Sequence, residues 1–381
     1  MQSKDIISNF PNNLGKTNFI GNLTLETIKN IDSDYMYSQL TEYWDNFSSA
    51  INEANAIRED AVFFDADTDI QPDKILIFGI GGSAVSGEIY RSYLKYILAD
   101  KCPIIEICRG TEMPNRITQN THVYICSYSG NTEETLSAMS KVEKFTTNIM
   151  AITSGGTLAD ICEERNYPVL FMPTDMMPRC AIYYSLFRLI ISTLRKFNID
   201  WHTHSYITNS IEHILKDNDR TLCDYSILDD NNMAIAIARI LHNKIPLIYT
   251  AQCRLEAVNL RWKAQIQENA NQLCFGNFFP ELNHNEINSW CFPANMIDKF
   301  VVVVMKDPED DKELNNRIDN SMKFLKEKGI SVIEIPAPTG DLFERIIRLI
   351  CLGDWVSFYL AIMNNVDPTP IPLISELKNR K

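Results

Sequence analysis

Positive charge is scarce in this sequence. Its 381 residues set 36 Lys and Arg against 49 Asp and Glu, a formal net charge of −13. So acidic a chain repels polyanions, which argues against nucleic acid and anionic membrane surfaces as partners. Any anion it binds must be held by local groups. Paired cysteines are missing as well. Ten cysteines stand at 102, 108, 126, 162, 180, 223, 253, 274, 291 and 351, none in C-x-x-C and several inside apolar runs. Reduced, buried thiols of a cytoplasmic protein explain that pattern better than a disulfide framework. No run approaches the about 18 successive apolar residues of a membrane span. The N-terminal M-Q-S-K-D-I-I-S-N-F-P lacks the apolar centre of a signal peptide. Histidine is rare and dispersed, at 122, 202, 204, 213, 242 and 284. His202 and His204, in W-H-T-H, read as loop residues, and no metal is expected. Low-complexity tracts are absent too. A hydrophobic content of 45% and a length of 381 residues leave room for two domains with ordinary cores.

The most informative stretch that is present is Val123–Thr135, V-Y-I-C-S-Y-S-G-N-T-E-E-T. A short apolar run of strand type is followed by Ser127, Ser129, Gly130, Asn131 and Thr132, and then by helix formers with Leu136, Met139 and Val142 at helical spacing. Strand, hydroxyl-rich turn and helix place backbone N–H groups and hydroxyls at a helix N-terminus, where an anion is favoured. Glu133 and Glu134 also suit a plain first helical turn. The same order occurs upstream. Lys74–Phe78 reads as a strand, Gly79–Gly87 (G-I-G-G-S-A-V-S-G) as a glycine-rich turn, and a helix runs on through Tyr90 and Leu94. No Lys follows to make a nucleotide P-loop, and no acidic residue stands where a dinucleotide fold needs one. Two such turns in successive strand–helix units favour a phosphate or sugar-phosphate pocket over plain capped turns.

Strands expected at Ile75–Phe78, Ile104–Cys108, Val123–Cys126, Ile149–Thr153 and Val169–Met172 alternate with helices, the signature of a parallel sheet covered on both faces. Ligands of such sheets bind beyond the strand carboxyl ends, where Gly79–Ser83, Ser127–Thr132 and Ser154–Gly156 can converge. We expect a lead-in over residues 1–45, a helix over Leu40–Ile57, a first domain over 46–215, a linker over 216–232 and a second domain over 233–381. Helices over Ala181–Phe197 and Ser205–Lys216 close the first. The second has strands at Ile245–Thr250, Lys299–Met305 and Ile330–Ile335, and helices at Arg254–Gln267, Lys312–Lys328 and Leu342–Met363. Its first strand lacks a glycine- and hydroxyl-rich turn, so one phosphate site is expected, in the first half. The acidic loop Asp307–Asp311 reads as solvated.

Carboxylates and a histidine gather in Gln265–Glu286, which runs from a helix end through polar residues, aromatics and a proline. Glu268, Glu281, His284 and Glu286 are candidates there, each with a bland alternative as a surface or loop residue. Arg179, after Pro178, is either a surface ion-pair partner or a cation placed over a developing oxyanion. Lys378, in S-E-L-K-N-R-K, reads as a solvated tail residue.

The motifs G-I-G-G-S (79–83), S-Y-S-G-N-T-E-E-T (127–135), T-S-G-G-T-L (153–158), P-R (178–179), Q-E-N-A-N (267–271), P-E-L-N-H-N-E-I (280–287) and V-D-P-T-P (366–370) span nearly the whole chain. In this order they resemble the bifunctional phosphoglucose/phosphomannose isomerases of the sugar isomerase (SIS) domain superfamily. The S-x-S-G-N-T turn is common to sugar isomerase domains, while Q-E-N-x-N paired with P-E-L-N-H-N-E is more discriminating. The resemblance implies an α/β fold of two SIS domains, each a five-stranded parallel sheet flanked by helices in a flavodoxin-like three-layer sandwich. It implies a phosphate site of Gly82, Ser83, Ser127, Ser129 and Thr132, with Glu268 as base, Arg179 as the cation beside the intermediate, and His284 and Lys378 in ring opening. It further implies a homodimer in which His284 reaches the site of the neighbouring subunit, and no cofactor. Such an enzyme interconverts aldose and ketose 6-phosphates through a cis-enediol. A neutral imidazole suits ring opening near pH 7, a carboxylate carries the proton between C2 and C1, and a guanidinium offsets the charge growing on the oxygens. A non-catalytic sugar-phosphate sensor on the same fold is the alternative, but the N-terminal segment is neither basic nor long enough for the DNA-binding helix pair such regulators carry. Other SIS isomerases are a further one; the lack of an N-terminal glutaminase cysteine disfavours the aminotransferring type, and two full domains disfavour the single-domain types.

Overall fold

The computed structural model describes residues 23–57, 72–196, 209–214 and 223–380. His202 and His204, residues 205–208 of the expected helix and 216–222 of the expected linker lie outside the described residues; residues 209–214 are helical. The chain forms two compact units, one within 42–212 and one joining the described part of 1–41 to 213–381.

Of the expected lead-in, residues 1–22 lie outside the described residues, and the described part carries helices. The hydroxyl of Thr24 accepts from the Thr27 N–H to start α1 (Leu25–Ile31). The Asp32 carboxylate accepts from the N–H groups of Met36 and Tyr37, at 2.9 and 2.8 Å, to start α2 (Met36–Thr41). The first unit then follows with α3 (Tyr43–Ala56), β1 (Lys74–Phe78), α4 (Gly82–Leu98), β2 (Ile104–Cys108), β3 (Thr121–Cys126), α5 (Glu133–Val142), β4 (Ile149–Thr153), α6 (Gly156–Arg165), β5 (Val169–Phe171) and α7 (Ile182–Lys196). Its strands are parallel in the order β2-β1-β3-β4-β5. Alternate strand residues serve opposite faces. Leu76, Phe78, Val123, Ile125, Ile149 and Ala151 pack with Ala138, Met139 and Val142 of α5 and Leu158 and Cys162 of α6. The other face carries α4 and α7, and α3 lies on α7 through Phe47–Tyr183 and Phe47–Phe187 ring contacts. In register, Phe78 lies beside Ile125 and Cys126 beside Ile152. The turns after β1, β3 and β4 therefore leave the sheet side by side.

The second unit holds α8 (Met233–Leu241), β6 (Ile245–Ala251), α9 (Glu256–Asn269), β7 (Phe275–Phe279), short 3-10 turns at Glu281–His284, Glu286–Ser289 and Ala294–Lys299, β8 (Phe300–Met305), α10 (Lys312–Glu327), β9 (Ser331–Ile335), α11 (Leu342–Met363) and α12 (Pro372–Asn379). Its parallel sheet runs β7-β6-β8-β9, four strands among the described residues rather than five. After β9 come Pro336 and Pro338, which cannot donate to a ladder. The Asp341 carboxylate then accepts from the Glu344 N–H and α11 begins. Nothing corresponding to α6 and β5 intervenes. β7 was not foreseen: the F-G-N-F-F segment is an edge strand without alternating polarity, with Phe275 48% exposed.

α11 is long and apolar enough to cross a membrane by length and composition, yet its apolar window is fully buried inside the unit, packed against α8 and α9. Its charged residues are paired there. Arg261 of α9 grips Asp354 at 2.9 and 3.1 Å. Arg345 grips Asp307 at 2.7 and 3.0 Å. The loop Asp307–Asp311 is accordingly not simply solvated. Asp307 is 1% exposed, because a guanidinium arriving from α11 replaces its water, and Glu309 and Asp310 share Arg254. α1 and α2 pack on the same helix, with Tyr37 edge-on to Trp355. Ser33 bonds the Asp367 carboxylate, ahead of α12.

Candidate active site

The first unit presents a donor-rich mouth. Three of its helices, α4, α5 and α6, start directly after the turns that leave β1, β3 and β4, and none is capped by the side chain of its own N-cap residue. Gly81 and Gly155 occupy two of the cap positions and carry no side chain. Thr132 occupies the third, but its hydroxyl is bonded to the Ser127 hydroxyl at 2.9 Å. The orphan N–H groups at the starts of α4 and α5 thus remain available to an anion, whereas at the start of α6 Asn131 takes the Thr157 N–H and the Gly130 carbonyl takes that of Leu158. The second unit differs. Its α8, α10 and α11 are capped by Asn232, Asp311 and Asp341, whose side-chain oxygens take donors there, and only α9 of the helices that follow its strands β6, β8 and β9 has no side-chain cap.

The S-Y-S-G-N-T turn is stiffened from within. Ser127 is buried and its hydroxyl accepts from the Gly130 N–H at 3.1 Å. Gly130 has φ +67°, and a Cβ there would stand 1.8 Å from the Gly155 carbonyl oxygen. Asn131 accepts from the N–H and hydroxyl of Thr157, at 3.1 and 2.9 Å, which binds this turn to T-S-G-G-T. Ser129 is exposed, while Thr132, Gly82 and Ser83 are half-buried. Ser83 packs beside Gly79, whose added Cβ would lie 3.1 Å from the Ser83 Cβ and 3.2 Å from the Cys126 carbonyl. Gly82 faces the Arg179 loop: a Cβ on it would stand 3.8 Å from the Pro178 carbonyl. The structure thus assembles Gly82, Ser83, Ser127 and Thr132 with the half-buried Arg179 at one end of one sheet.

Glu268, His284 and Lys378 belong to the second unit and sit on three separate elements. Glu268 lies in the last turn of α9, half-buried. Its neighbours fix it. Gln267 donates to the Cys274 carbonyl at 2.7 Å, and Asn269, fully buried, donates to the Ser357 hydroxyl of α11 at 2.9 Å. His284 is exposed on its 3-10 turn. That turn is held to the sheet by buried Leu282 and by Glu286, whose carboxylate accepts from Tyr249 of β6 and Asn277 of β7. Burial, and then this carboxylate, push the Tyr249 phenol well above its ordinary range, so it stays a donor. Glu281 is exposed and accepts from Asn285. Lys378 is exposed on α12. Among the described residues no three His, Cys, Asp or Glu side chains gather as metal ligands.

Residues 230–380 match the family model of the bacterial phospho-glucose isomerase C-terminal SIS domain. The bifunctional phosphoglucose/phosphomannose isomerase of Caldicellulosiruptor bescii is 34% identical over 311 residues, 81% of this chain and 89% of that one. The chain belongs to the bifunctional phosphoglucose/phosphomannose isomerase family. The enzyme of that name from Thermoplasma volcanium is 31% identical over 80% of this chain and 90% of its own. A hypothetical protein from Thermus thermophilus shares the fold at a TM-score of 0.67 and 13% identity, over 93% of this chain and 92% of that one. Sequence reasoning named candidate site residues but missed the side chains that brace the elements carrying them. Gln267, Asn269, Tyr249 and Asn277 gave no local signal, since their partners come from other elements.

Proposed function

We propose that the protein interconverts glucose 6-phosphate and mannose 6-phosphate with fructose 6-phosphate. The observation that carries this reading is the mouth at the N-termini of α4 and α5, neither with a side-chain cap, lined by the hydroxyls of Ser83, Ser127, Ser129 and Thr132. In an acidic chain it is a place built for a dianion. Phosphate held there supplies binding energy remote from the reacting carbons. His284 and Lys378 move protons at the ring oxygen and O1, opening the ring. Glu268 takes the proton from C2 and returns it at C1. Arg179 offsets the negative charge that grows on O1 and O2 of the enediolate. The proton stays within the sugar and Glu268, so no electrons enter or leave, and no cofactor is called for.

The active species is a cytoplasmic homodimer in which His284 serves the site of the neighbouring subunit; its exposure on a braced turn supports this. The sensor alternative draws nothing from the relatives named above, which carry the names of enzymes. A coupled assay of both epimers tests the reading. Purified protein should convert each to fructose 6-phosphate without added metal, at a rate that EDTA leaves unchanged. Absence of turnover with both epimers would refute it. A complex with a five-carbon sugar-acid phosphate reports which groups surround C1 and C2.

A further inference from the structure

The loop that carries Arg179 is tied to the S-Y-S-G-N-T turn by a side chain with no part in the reading above. The Tyr128 hydroxyl lies 2.8 Å from the Pro173 carbonyl oxygen and 2.7 Å from the Met176 carbonyl oxygen, so its one proton can serve either. Its own carbonyl accepts from the Ser154 N–H and hydroxyl at 2.9 and 2.6 Å. Tyr128 is therefore anchored at its backbone in the turn and at its tip in the loop. Burial is the main cause that raises the phenol's pKa, so the proton it donates is retained at neutral pH. From Met176 the chain is short and tight to Arg179. Cys180 N–H donates to the Met177 carbonyl at 2.8 Å, Ala181 N–H to the Pro178 carbonyl at 3.3 Å, and an Arg179 N–H contacts the Met177 sulfur at 3.8 Å. Little slack separates the carbonyls that Tyr128 holds from the guanidinium.

We propose that Tyr128 is a positioning residue that couples the phosphate-binding turn to the placement of Arg179 through the Pro173 and Met176 carbonyls. The inference rests on the reading in which Arg179 steadies the enediolate. Occupancy of the turn by phosphate orders the base of Tyr128, and Tyr128 carries that order to the loop. Sugars without a phosphate are then discriminated against in kcat as well as in KM.

The test is a double-mutant cycle with fructose 6-phosphate, using Tyr128→Phe, Arg179→Ala and the combined variant. Tyr128→Phe keeps the ring and removes one hydroxyl. It should lower kcat about tenfold and leave KM within about twofold. In the Arg179→Ala background the same change should have no further effect on kcat, because the group it positions is gone. An Arg179→Ala protein with unchanged kcat would remove the reading on which the inference rests. An impaired Arg179→Ala protein, together with a Tyr128→Phe effect that is absent, confined to KM or equal in both backgrounds, would overturn the coupling itself. Amide hydrogen exchange over 174–181 in the unaltered protein supplies a second readout that needs no variant. Inorganic phosphate should slow exchange there, and no change on adding phosphate would also overturn the proposal.

Discussion

Glu268 stands between two amides that point elsewhere. Gln267 is spent on the Cys274 carbonyl and Asn269 on Ser357, so the helix end is tied down on both sides of Glu268. In the proposed reading the acid of Q-E-N-A-N acts, while Gln267 and Asn269 tie down the helix end that carries it. Glu268→Gln should lower kcat by on the order of a thousandfold, the usual worth of a positioned proton-transfer group, while binding of fructose 6-phosphate, measured by calorimetry, persists. Retained turnover would remove Glu268 as the base. The acid was legible as a candidate because carboxylates are few and conspicuous in that stretch. The supporting amides were not, because an Asn reads alike whether it caps a turn or bonds a residue 88 positions away.

Among the helices, α9 and α11 form the seam on which that placement depends. The Trp262 indole N–H donates to the Leu349 carbonyl at 2.8 Å, and Gly353 lies directly under the ring, where an added Cβ would stand 2.4 Å from the indole nitrogen. Gly353→Ala should destabilise the protein by about 1–3 kcal/mol through overpacking, read as a lower denaturation midpoint. It should also reduce kcat more than KM, since α9 carries Glu268. An unchanged midpoint would mean the seam can relax.

The loop after β8 shows a second consequence of packing. Asp310 is pushed up to about 6 from 3.8, by burial first and then by the charge of Asp307. A carboxyl held above its unfolded pKa contributes stability that is complete below about pH 4 and is lost as pH rises through about 6. Asp310→Asn removes that loss and should raise the denaturation midpoint, relative to the unaltered protein, more at pH 8 than at pH 5. An equal shift at both pH values would show that Asp310 is not ionising in this window. The boundaries of α11 and most strands were readable because apolar periodicity is a local property. β7 escaped since an edge strand with Gly276 and Asn277 lacks the alternation that marks a half-buried strand.

For the assembled enzyme, the homodimer proposal makes a prediction no single chain can satisfy. Glu268→Gln and His284→Ala, each inactive alone, should regain activity when the two are unfolded together and refolded as mixed dimers. One site of a mixed dimer then combines an intact Glu268 from one subunit with an intact His284 from the other. Failure to regain activity in verified mixed dimers would place both groups in the same subunit's site. The order of amino acids by itself determined the alternation of apolar strands with helices and the glycine and hydroxyl turns after β1, β3 and β4. Each of these depends on neighbours within a few residues. Folding in three dimensions decided that the second sheet has four strands among the described residues, that Asp307 is buried against Arg345 and that Tyr128 reaches the loop of Arg179. Those outcomes need groups distant in the chain to meet within hydrogen-bonding reach, and local spacing does not name a distant partner.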